Sequence, residues 1–99
     1  MIIRYVRKNM NNEPVATLMA VHNKIDGKVY ITWSKCHKND IFYKVTGREC
    51  CKNRLVKFLD DQQYPIVCNT IKKHLRQFID DVQYKCCVAA KDIIVIARL

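Results

Sequence analysis

The chain has 99 residues, 49% apolar and 27% charged, with a formal net charge of +9. That length is one domain, residues 1–99, with room for one modest core and little for a deep, lidded cleft. The composition excludes a disordered chain. No run approaches the ~20 apolar residues of a membrane helix, and no signal-type segment opens the sequence, so the expectation is a soluble intracellular protein with no membrane partner.

Ile2, Ile3, Tyr5 and Val6 favour a strand over 2–8, and Asn9 to Pro14 is a turn cluster. Val15 to His22 reads as a second strand. Asp26-Gly27 then precedes Val29, Ile31 and Trp33, which alternate with Tyr30, Thr32 and Ser34. This predicts a hairpin with a type I′ turn and with Val29, Ile31 and Trp33 facing the core. Asn39 or Asp40 can cap a short turn carrying Ile41, Phe42 and Val45.

Thr46-Gly-Arg-Glu49 matches a capping box for a helix whose apolar stripe is Cys51, Leu55, Phe58 and Leu59. Asp60 to Pro65 ends it. Thr70 can cap a second helix with Ile71, Leu75, Phe78, Ile79 and Val82 on one face. Ile93 to Ala97 is a continuous apolar run. It predicts a strand covered on both sides, either central in the sheet or in a homodimer seam through residues 93–99. The expected fold is α+β: a three-stranded antiparallel meander plus a C-terminal strand, with two main helices packed on one face.

Six cysteines in a short chain suggest a disulfide framework, but four of them form the adjacent pairs Cys50-Cys51 and Cys86-Cys87. Neighbours rarely bridge, because disulfide geometry needs Cα atoms farther apart than one peptide allows. Reduced thiols packed as small hydrophobes are expected. No Cys-x-x-Cys occurs, and Cys36-His37 would diverge in an extended chain, so neither metal nor cofactor is expected. Cys36, Cys50, His22, His37 and His74 contain the elements of a nucleophilic pair without any accompanying motif. The two glycines, Gly27 and Gly47, each have a structural use, which leaves none for a phosphate loop. Asp60-Asp61 and Asp80-Asp81 read as solvated helix ends. No catalytic residue is assigned.

The charge is uneven. Lys35, Lys38, Lys44, Arg48, Lys52, Arg54 and Lys57 face only Asp40 and Glu49 over 35–57. Tyr30 and Tyr43 are the freer aromatics near them, whereas Trp33, Phe42 and Phe58 suit the core. These cations and Tyr43 are the candidate binding residues for an acidic macromolecule, protein or nucleic acid. No helix-turn-helix, zinc-finger or RNA-recognition signature points to base readout.

Val29-Tyr-Ile-Thr-Trp-Ser-Lys-Cys36, then Lys38-Asn-Asp40, Phe42, Lys44, Gly47-Arg48 and Arg54-Leu55, resembles a recurrent pattern in small tailed-bacteriophage proteins. The match spans roughly residues 27–55, with Glu49-Cys50-Cys51 replacing the usual Ile-Ala after Gly-Arg. The resemblance implies an accessory protein in the host bacterial cytoplasm that modifies host machinery or blocks host defence. Ser34, Asp40, Lys44, Gly47, Arg48 and Arg54 would then converge on one edge. There Arg48 and Arg54 would hold a phosphate or carboxylate, or pair with Asp40. The leading expectation is a non-enzymatic binding protein; direct action on DNA or RNA is the alternative, and a small hydrolase or nuclease is third.

Overall fold

The computed structural model describes residues 1–7, 14–36, 41–61 and 69–96. Strands β1 (Ile2–Arg7), β2 (Pro14–His22) and β3 (Val29–Lys35) form the antiparallel meander. Helices α1 (Lys44–Asp61) and α2 (Asn69–Cys86) follow, and a short 3-10 turn leads into β4 (Ile93–Val95). The sheet order is β1-β2-β3-β4, with β4 parallel to β3. The expected α+β class and element order are present; the turn cluster at 9–14 lies almost wholly outside the described residues.

Successive strand side chains point to opposite faces of a sheet. Ala16, Leu18 and Ala20 of β2 and Val29, Ile31 and Trp33 of β3 form one buried cluster with Ile71, Leu75, Phe78 and Val82 of α2. The alternate positions meet α1. There Tyr30 packs on Phe58, and the Cys51 thiol donates to the Thr17 carbonyl at 3.6 Å. The helices therefore cover opposite faces, not one face as expected. Thr32 and Ser34, opposite the expected core positions, are buried, as is Thr17. They are neutral, and a helix resting on them costs less than one resting on charge. Full burial of a side chain such as Leu75 or Phe78 contributes about 1.5–3 kcal/mol.

The hairpin differs from the expected two-residue turn. Asn23 N–H donates to the Lys28 carbonyl and Gly27 N–H to the Asn23 carbonyl, enclosing 24–27 as a four-residue loop. Only Gly27 takes the left-handed conformation, at φ 71°. Asn23 and Asp26 side chains accept from the Ile25 and Lys28 backbones, so local polar bonds select the longer loop. The Tyr30 hydroxyl also donates to Asp26, which holds that carboxyl below its ordinary range and raises the phenol.

Helix α1 begins at Lys44, so Thr46 is inside the first turn and not its cap. Residues 41–43 are irregular, and Gly47 N–H donates to the Tyr43 carbonyl. Phe42 meets Tyr5 edge-on at 5.9 Å, and this aromatic anchor fixes where the helix starts. Leu59 is half exposed and lies off the buried line of Gly47, Cys51 and Phe58. Helix α2 follows its expected stripe but starts at Asn69, ahead of Thr70. Strand β4 is an edge, not a central strand. Ile93 and Val95 join the α2-side core while Ile94 and Ile96 join the α1 side, which explains the unbroken apolar run.

Gly47 lies where α1 crosses β2: a Cβ there would overlap the Thr17 hydroxyl. Ala is the better helix former by about 1 kcal/mol, but overpacking costs roughly 1–3 kcal/mol. Gly47→Ala should therefore destabilise the fold by about 1 kcal/mol in urea unfolding. In a Thr17→Ala background, which removes the opposing hydroxyl, most of that loss should disappear.

Candidate partner-binding site

Helix α1 crosses the sheet obliquely. Its first turn lies by β1, where the Lys44 ammonium stands 5.0 Å from the Tyr5 ring. Its last turns lie by β3 and β4, where Phe58 meets Tyr30 and Ile96. At 3.6 residues per turn, Lys44, Arg48 and Lys52 form one i, i+4, i+8 ridge on the β1 side. Lys44 and Lys52 are exposed, and Arg48 is half-buried. Val45, Val56 and Leu59, each at least half exposed, line the outer margin of this ridge. Among the described residues, no acidic side chain forms an ion pair with it; Arg4 pairs with Asp81 elsewhere, joining β1 to α2.

Arg54 belongs elsewhere. It lies about 240° around the helix from Arg48, on the opposite flank. Its guanidinium donates to the Trp33 carbonyl and lies 4.8 Å over the indole. The reason is topological. Ile96 N–H donates to the Ile31 carbonyl, and among the described residues no strand donor reaches the next carbonyl of the same parity, that of Trp33. Arg54 donates to it instead. Arg48 and Arg54 thus do not converge on one anion, contrary to the expectation from the phage pattern. Their expected partner Asp40 lies outside the described residues.

The other candidates scatter. Lys35 has the parity of Val29, Ile31 and Trp33 and so stands on the α2 face of the sheet, exposed at the end of β3. Lys57 is exposed on the Arg54 flank, one turn on. Tyr43 is 60% exposed just before α1. Lys38 lies outside the described residues. Sequence reasoning missed the aliphatic margin: Val45 and Leu59 read as apolar-face residues and Val56 has no role there, yet all three are at least half exposed.

The cysteines do not gather around a ligand. Among the described residues, no three His, Cys, Asp or Glu side chains come together as a metal site. Cys50, Cys51, Cys86 and Cys87 are free thiols. Burial pushes the Cys51 thiol up to about 11, opposed in smaller measure by the Thr32 hydroxyl and the charge of Arg54. No helix among the described residues is long and apolar enough to cross a membrane. Compared with protein-family models, curated proteins and solved structures, the chain matches none.

Two outcomes follow from this geometry. Arg54→Met leaves the Trp33 carbonyl without its donor and should cost about 1–3 kcal/mol. It should also change the emission of Trp33, the only tryptophan. Arg54→Lys, which keeps charge without the planar fork, should fall between the two. Cys51 keeps its proton in the fold while the unfolded thiol ionises near its ordinary value of 9.0. Its contribution to stability is therefore full below that value and is lost as pH rises toward about 11. Thiol labelling at pH 8 should find exposed Cys87 fastest and Cys51 slowest among the described cysteines.

Proposed function

We propose that this chain is a non-enzymatic binding protein that recognises an acidic partner protein through the Lys44–Arg48–Lys52 ridge and its aliphatic margin. The observation that carries this reading is the interleaving of those cations with exposed Val45, Val56 and Leu59. Cations alone suit any polyanion. Aliphatic side chains set beside them suit a protein surface, whose apolar groups they can desolvate. Single-stranded nucleic acid calls for exposed aromatic platforms, and among the described residues beside the ridge Tyr43, just before α1, is the one aromatic more than half exposed.

The resemblance of residues 27–55 to small tailed-phage proteins supplies the setting. It suggests an accessory protein acting in a host bacterium, with a component of defence or nucleic-acid processing as the acidic target. Direct binding to DNA or RNA is the competing reading.

The discriminating variant is Lys44→Glu/Arg48→Glu/Lys52→Glu, with Arg54 left intact because it holds the fold together. Lys57→Glu and Lys72→Glu serve as controls, since both side chains are exposed away from the ridge. Capture of a nuclease-resistant host protein should be lost in the triple variant and kept in the controls. If the triple variant instead loses a salt-dependent affinity for nucleic acid and captures protein as before, the nucleic-acid reading replaces this one.

A further inference from the structure

Strand β1 is an edge: among the described residues, β2 pairs one side of it and no strand pairs the other. It is six residues long, so alternate residues direct N–H and C=O groups outward with no ladder partner. On its α1 face, Ile3 and Tyr5 are only half-buried, because α1 moves away toward β3 as it crosses. The Lys44 ammonium is beside the Tyr5 ring, and Arg48 is one helical turn on. On its α2 face stand Ile2, Arg4 and Val6, with Arg4 already paired to Asp81 and lying 5.7 Å over Phe78. The open edge is thus cationic toward α1 and mainly apolar, with its charge neutralised, toward α2.

We propose that β1 takes up an extended segment of the partner as a fifth strand, with acidic side chains turned toward Lys44 and Arg48 and apolar ones toward the α2 side. This rests on the ridge reading above and gives it a binding mode. Strand addition supplies affinity through main-chain hydrogen bonds and specificity through alternate side chains. Three features favour a peptide as occupant. Nucleic acid has no peptide ladder to complete the edge. A second copy of this chain pairing β1 to β1 would set its own Lys44 and Arg48 against these, and like charges across a strand pair are unfavourable. An alternating acidic and apolar segment matches both faces at once.

The probe is the peptide acetyl-(Val-Glu)4-amide, with (Val-Lys)4 as the opposite-charge control. Amide hydrogen exchange of β1 is read by NMR with and without the peptide. The expected result is binding of the acidic peptide alone, with new protection at alternate β1 amides. N-methylation of one alternate set of peptide nitrogens should abolish binding, while methylation of the other set is tolerated. Lys44→Glu/Arg48→Glu should weaken it about ten-fold, and more at low salt.

If the acidic peptide binds through the ridge without protecting β1 or sensing N-methylation, strand addition is wrong while the function proposal stands. If neither the peptide nor a lysate protein depends on the ridge, both are wrong. Protection of the β1 amides that rises with protein concentration, without peptide, shows a second copy on the edge and overturns the proposal.

Discussion

The placement of the rest follows from β3 being covered on both faces. Val29, Ile31 and Trp33 belong to the core cluster that α2 closes, while Tyr30 and Thr32 lie under α1, and none of the five is more than 7% exposed. A strand buried on both sides needs a helix on each, so α1 and α2 cannot share a face. It also needs a neighbour on each edge. β2 supplies one fully, and among the described residues β4 supplies the other as far as Ile31. The Trp33 carbonyl accepts from Arg54. A cation that reads as surface charge in the sequence is thereby committed to the architecture.

That commitment reorganises the charge. With Arg54 drawn to β3 and Lys35 on the α2 face, the basic segment does not make one continuous field. What remains together is a short ridge set by helical periodicity, and the oblique crossing of α1 brings its first turn to the β1 edge. Gly47 permits this crossing, since the helix backbone meets Thr17 with no side chain between them. The partner surface and the packing of α1 are consequences of the same contact. Changes at Thr17 or Gly47 would move the ridge relative to β1 as well as the core.

The cysteines illustrate a different use of a reactive residue. Cys51 serves as a small apolar residue on the buried side of α1, and its burial suppresses the thiolate that chemistry would need. Cys87 ends α2 in the left-handed conformation, at φ 52°, where glycine is usual. Its thiol donates to the Tyr84 carbonyl, a local bond at the helix end. Both are explained by local structure.

Much of the fold is legible in the residue pattern. Period-two alternation in 29–34 marks β3, the 71–75–78–82 spacing marks α2, and Asp26-Gly27 marks a reversal of the chain. These signals are local, because they depend on which side chains recur at the period of one element. Legibility ends where two elements must be brought together. The sequence alone determined an α+β chain with two helices, a meander and an excess of positive charge. Tertiary structure alone decided that the helices take opposite faces, that β4 lies at an edge, and that Arg54 leaves the charged surface while Val45, Val56 and Leu59 join it. The physical reason is that neutral Thr and Ser positions are compatible with either water or a helix. Which of these they meet is fixed by how α1 crosses the sheet, a relation between segments that periodicity within one segment does not contain.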